Sequence, residues 1–187
     1  EAVAKLFRYV MKGVELCEEF ERASIRGYEI RIESSAPPGA GLGTSAAISV
    51  ATVAACMALH EELETLDGRL DDIARIAWSV EKEVQGAASP MDTFTVTYGG
   101  IRLIKPWIPE AEPLDVGDIP VIVGYIAKKM TTAELVARVR NLRTLFPAVT
   151  EGILNTIESL VYEALNRLKE RDMKSLGVLM NINHELL

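Results

Sequence analysis

The sequence predicts a mixed helix-and-strand chain, class α/β (α+β), in two structural parts. Three observations lead there. Apolar residues recur at three- and four-residue steps through most of the chain, the period of helices that bury one face. Short stretches of strand character stand between them, the clearest being Tyr28, Ile30 and Ile32 alternating with Glu29, Arg31 and Glu33. A connection rich in acids and proline (Pro106, Pro109, Pro113, Pro120) then separates a first part, 1–117, from a second, 118–187.

Each element follows from its local pattern. Val3, Leu6, Phe7, Val10, Val14 and Cys17 predict an amphipathic helix over Glu1 to Glu21. Gly27 breaks the chain, and the alternation over 28–33 predicts a half-buried strand. A turn-rich segment from Ser34 to Gly43 opens into an apolar helix from Thr44 to about His60. That helix is apolar nearly all round, so it should be buried. Asp67 and Gly68 mark a loop. Ile73, Ile76, Ala77, Val80 and Val84 then form the stripe of a helix over 70–85. Gly86 to Pro90 breaks it, and Met91 to Thr97 suits a short helix started by proline. Gly99 and Gly100 turn into a strand over 101–105, and 121–127, rich in β-branched residues, predicts another. Helices over 132–142, 148–170 and 173–187 complete the chain.

Composition excludes several classes. Of 187 residues, 49% are hydrophobic and 25% charged, which is a chain with a core rather than a disordered one. The net charge of -7 disfavours a general nucleic-acid binder. Cys17 and Cys56 lie inside apolar patterns without metal spacing, so they read as reduced core thiols of a cytoplasmic protein. The most apolar run, Ala46 to Leu59, is shorter than the roughly 20 residues that span a bilayer, and no basic-then-apolar leader stands at the start. No membrane association is expected. His60 and His184 read as helix residues, and Trp78 and Trp107 as packing.

The strongest local signal is Pro37-Pro38-Gly39-Ala40-Gly41-Leu42-Gly43-Thr44-Ser45. Glycines at every second position let the backbone curve tightly and approach a ligand. The helix that follows aims free N–H groups and its positive dipole end at the loop, which suits phosphate. Thr44 and Ser45 add hydroxyls that either cap the helix or reach a metal ion. The segment is not a Walker loop, since no Lys follows the last glycine, and it lacks the third glycine of the dinucleotide fingerprint.

Two carboxylate positions stand out beyond it. Asp92 follows the break after the 70–85 helix, where an acid suits the dipole of the next helix. Glu81 lies eleven residues earlier, at the border of the apolar stripe. Glu83 lies at the opposite border, so helical geometry alone leaves the choice between them open.

The glycine loop resembles the second motif of the GHMP small-molecule kinases. The run from Glu81 through Met91-Asp92-Thr93, followed by Thr97-Tyr98-Gly99-Gly100, resembles the mevalonate kinase branch of that family. Galactokinases carry Cys-Gly before their Met-Asp and Gln after it, and homoserine kinases lack the Asp. The segment at Thr132-Ala133-Glu134 and the ending Asn183-His184-Glu185 resemble the archaeal type.

The resemblance implies an N-terminal ribosomal-protein-like domain and a partial ferredoxin-like domain, mainly helical here. It implies ATP-dependent phosphorylation of the primary hydroxyl of mevalonate in isoprenoid biosynthesis. Pro38, Gly39, Ala40, Gly41, Leu42, Gly43, Thr44 and Ser45 would wrap the ATP phosphates. Ser45 and Glu81 would hold Mg²⁺, Asp92 would act as catalytic base, and Thr132 would lie near the substrate. Two family motifs are absent from these residues, an N-terminal Lys with a Gly-Glu-His stretch and a C-terminal glycine-rich one. The chain therefore reads as a fragment of such an enzyme. The alternatives are another GHMP kinase, phosphomevalonate kinase or galactokinase-like, and a non-catalytic piece. Open sheet edges would also invite pairing into a homodimer.

Overall fold

A computed structural model describes residues 2–35, 41–60, 63–105, 107, 109–124 and 132–187. The chain divides into two compact units, Glu1–Leu114 with Val123–Lys129, and Asp115–Ile122 with Met130–Leu187, the first built on the N-terminal helices and the second on the C-terminal ones.

In the first unit, helices α1 (Ala2–Glu21), α2 (Thr44–Met57) and α3 (Leu70–Gln85) pack against one another pairwise. Their facing stripes make one core: Tyr9, Val10, Val14 and Cys17 from α1, Val53, Cys56 and Met57 from α2, and Ile73, Ala77 and Val80 from α3. Gly13 lets α1 and α2 come close, because a Cβ there would meet Thr52 Cγ2 at 3.0 Å. Cys17 and Cys56 are both buried and free, as their apolar setting predicts. The neighbouring Cys56 thiol, together with burial, pushes the Cys17 thiol up. Residues 63–69 form a short 3-10 turn rather than the predicted loop. Arg69 of that turn closes onto Glu21 at 2.7 Å and onto Asp72 at 3.2 Å.

Helix α3 ends at Gly86, whose φ of 80° is the left-handed cap that glycine adopts without strain. A short link leads into α4 (Met91–Tyr98), which packs on α2 and α3. Trp78 does more than pack: its Nε1–H donates to the Ala88 carbonyl at 2.9 Å, and Lys82 lies 3.8 Å from its ring centroid. Arg102 caps the other end of α4, donating to the carbonyls of Tyr98 at 3.0 Å and Gly99 at 2.8 Å. It opens β1 (Arg102–Lys105), which pairs antiparallel with β2 (Glu110–Pro113), Arg102 opposite Pro113 and Lys105 opposite Glu110.

Three strand expectations need correction. Residues 28–33 alternate as predicted but join no ladder, and Tyr28, Ile30 and Ile32 are exposed. Alternation supplies a face, and a strand also needs a neighbour to bond. Residues 121–124 likewise join no ladder and are exposed, while 125–127 lie outside the described residues. β2 lies inside the connection that its prolines marked as irregular. Pro113 is tolerated there because it ends an edge strand. Trp107, expected to pack, is 81% exposed.

In the second unit, α5 (Thr132–Leu145), α6 (Pro147–Lys169) and α7 (Met173–Leu186) follow in sequence, α6 packing with both neighbours. Pro147 starts α6, where its missing N–H costs nothing. Asp172 caps α7 by accepting from the Ser175 N–H at 3.0 Å. Among the described residues, no helix is long and apolar enough to cross a membrane.

Candidate active site

The start of α2 is the anchor of the site. Gly43 precedes it at φ 65°, a backbone that L side chains rarely adopt, and Gly41 stands at φ 78°. A Cβ at Gly43 would lie 3.8 Å from Cγ of Asp92, an ordinary contact. The backbone angle, not crowding, is therefore what selects glycine there. No side chain caps α2. Thr44 buries its hydroxyl, and Oγ1 finds no hydrogen-bond partner among the described residues. Pro38, Gly39 and Ala40 lie outside the described residues. Leu42 is exposed.

Ser45 turns its hydroxyl away from the helix end. Its Oγ–H donates to Oε1 of Glu81 at 2.6 Å. Of the two uses open to it, cap or ligand group, the structure excludes the cap. α3 supplies Glu81 and also Gln85, one turn on, whose Nε2 donates to the same Oε1 at 3.0 Å. The choice between Glu81 and Glu83 is now visible. Glu81 is 3% exposed, whereas Glu83 faces outward and pairs with Lys12 of α1 at 3.1 Å.

Asp92 sits in the first turn of α4, beside Gly43. Burial pushes the Glu81 carboxyl up, and the charge of Asp92 adds to that; the Ser45 and Gln85 hydrogen bonds oppose it. Gly43, Thr44, Ser45, Glu81 and Asp92 therefore share one corner of the first unit. Thr132 belongs to the second unit, as the first residue of α5, and its side chain lies outside the described ones.

Two residues of this corner are absent from the sequence reading. Gln85 carries a legible signal, since it is four residues from Glu81 on one helix face. Tyr9 carries none, because only the packing of α1 on α2 and α3 brings it there. It is 4% exposed, and burial foremost, then the Glu81 charge, pushes its phenol up.

The donor set fits a small hard cation. Ser45 and Glu81 offer oxygen, and the Ser45 and Gln85 donors to Glu81 both fall on Oε1. The described residues contain no cluster of three or more His, Cys, Asp or Glu that would cage a metal by themselves. Mg²⁺ suits such a place, since it takes one or two carboxylates and completes its shell with phosphate and water.

The raised Glu81 carboxyl gives a pH-dependent expectation. A folded-state pKa above the unfolded one contributes stability at acid pH and loses it as pH rises through the folded value. In metal-free protein, Glu81→Gln keeps an acceptor for Ser45 and removes the buried charge. Its Tm should match the parent at low pH and exceed it by about 2–4 °C at neutral pH. Thermal melts across pH check this, and a pH-independent difference would refute it.

Comparison with known proteins places this geometry. Residues 8–100 match the family model of the GHMP kinases N terminal domain. The mevalonate kinase of Saccharolobus solfataricus is 38% identical over 183 residues, covering 98% of this chain and 55% of that protein. The mevalonate kinase of Pyrococcus horikoshii is 38% identical over 189 residues, covering 98% and 54%. The crystal structure of the Methanococcus jannaschii mevalonate kinase aligns with a TM-score of 0.70 at 31% identity, covering 95% of this chain and 54% of that one. The chain thus spans about half the length of the curated relatives it matches. Its glycine-led helix, the carboxylates beside it and its relatives agree: the chain belongs to the GHMP kinase family.

Proposed function

We propose that this chain is the central part of a mevalonate kinase, which transfers a phosphoryl group from ATP to the primary hydroxyl of mevalonate as a step of isoprenoid biosynthesis. The observation that supports it most directly is the convergence of Ser45, Glu81 and Asp92 on the uncapped start of α2. Mevalonate kinases among its relatives make mevalonate the first acceptor to test.

Phosphoryl transfer asks a protein mainly for positioning and charge stabilisation. The first-turn N–H groups of α2 and the loop from Pro38 to Gly43 bind the triphosphate, and the buried Thr44 hydroxyl has a hydrogen bond to give it. Ser45 and Glu81 are the residues that hold Mg²⁺, which when bound neutralises phosphate charge. Asp92 orients the acceptor hydroxyl and receives its proton. Thr132, from the second unit, is assigned to the substrate.

The domain division at 117/118 and a cytoplasmic location belong to the same proposal. So does a homodimer, for which the outer edges of the β1–β2 hairpin are one surface. The test is mevalonate-dependent ADP release by the full-length protein with Mg-ATP. Turnover with mevalonate, and not with phosphomevalonate, galactose or homoserine, supports the reading. Turnover only with another alcohol keeps the kinase and replaces the substrate.

A further inference from the structure

The two carboxylates of the site stand on different helices, Glu81 on α3 and Asp92 on α4. The last turn of α3 and the link 86–90 are the chain between them. Both ends of the link are fixed. The Gly86 N–H donates to the Lys82 carbonyl at 2.8 Å, which closes α3. The Pro90 carbonyl accepts from the Phe94 N–H at 3.0 Å and from the Thr93 hydroxyl at 3.2 Å, which opens α4. Residues 87–89 between these points are neither helix nor strand. α3 reaches across to them through Trp78, whose indole N–H donates to the Ala88 carbonyl at 2.9 Å. Lys82, one turn along α3, stands 3.8 Å from the indole centroid, a contact that favours one orientation of the ring.

We propose that Trp78 is a positioning residue that sets the spacing of Glu81 and Asp92. It lies three residues before Glu81 on one helix, so the element that presents Glu81 also grips the chain leading to Asp92. The indole N–H is a donor only, so it fixes the link by one directed bond. Without it the Ala88 carbonyl loses its partner, and the link gains freedom. Asp92, four residues on, then drifts from its place beside Gly43. Misplacing a reacting group by about 1 Å costs up to about 100-fold in rate. Trp78 acts through the link, and this role rests on Asp92 being the group that meets the acceptor hydroxyl.

The experiment uses full-length protein with Mg-ATP and mevalonate. Trp78→Phe, Asp92→Asn and the double variant are compared with the parent. Trp78→Phe keeps an aromatic face under Lys82 and loses the donor. Its kcat should fall about tenfold or more, while its affinity for a non-hydrolysable ATP analogue with Mg²⁺ stays within about twofold. In the Asp92→Asn background the same substitution should change kcat by less than about twofold, because the residue it positions is already disabled. A merely structural tryptophan would lower kcat equally in both backgrounds. A second variant guards against misfolding: benzothiophene in place of the indole at position 78 keeps the ring's size and lacks the N–H, and it should reproduce the loss. Parent-like kcat with benzothiophene at 78, or equal losses in the two backgrounds, overturns the inference. Parent-like turnover by Asp92→Asn overturns the role of Asp92 itself, and the inference with it.

Discussion

Replacing Asp92 with Asn will lower turnover of the full-length protein about a thousandfold and leave nucleotide affinity nearly unchanged. The amide has the size of the carboxylate, so it fills the same space beside Gly43. It cannot take the hydroxyl's proton, and it holds an alcohol by a weaker, uncharged hydrogen bond. In the proposed function the nucleotide is held by the start of α2 and by Ser45 and Glu81, which the substitution does not touch. The fold should not suffer either. Burial pushes the Glu81 carboxyl up and the charge of Asp92 adds to that, so removing this charge takes nothing from the stability of the buried Glu81. Steady-state turnover, nucleotide titration and a thermal melt on one preparation check all three parts. Turnover near the parent's would remove Asp92 from the chemistry.

Phe94→Ala will cost about 4 kcal/mol of stability. Phe94 is fully buried, and it stands two residues after Asp92 on a helix of only 8 residues. So short a helix has little stability of its own and is held by what it packs on. The ring lies 6.3 Å from that of Tyr98, with the Arg75 guanidinium 5.9 Å from its centroid. Removing it leaves a cavity beneath the turn that carries Asp92. Denaturant unfolding of the variant should show the loss, and its folded fraction should turn over more slowly because α4 has lost its seat. A stability change under about 1 kcal/mol would mean that the site collapses without cost.

Local pattern made much of this molecule legible. The stripe through Ile73, Ala77 and Val80 placed α3 at the bounds where it stands, and the glycines before Thr44 placed the start of α2. Both signals are properties of a few neighbouring residues. The stretch at 28–33 was misread because pairing is a property of two segments, and one segment's pattern says nothing about a partner. β2 was missed for the converse reason: Glu110, Ala111, Glu112 and Pro113 have poor strand propensity, and pairing with β1 overrides it.

The site divides in the same way. Asp92, Ser45 and Gly43 lie within recognisable runs of sequence. Helical geometry left Glu81 and Glu83 open and the resemblance chose Glu81; the packing of the helices then shows Glu81 buried and Glu83 paired with Lys12. Tyr9 needed that packing too, since nothing near it in sequence refers to α3.

The uncapped start of α2 has a consequence in time. The N–H groups of Thr44, Ser45 and Ala46 precede the first bond of the helix, from the Ala47 N–H to the Gly43 carbonyl at 2.9 Å, and among the described residues no side-chain hydrogen bond caps the helix start. In the empty protein these amides should exchange with deuterium among the fastest of the helix, while Val50 and Val53 behind them exchange slowly. A bound anion would slow the first three and leave the rest as they were. That front of protection, one helical turn deep, would mark where the molecule meets its ligand before any product is formed.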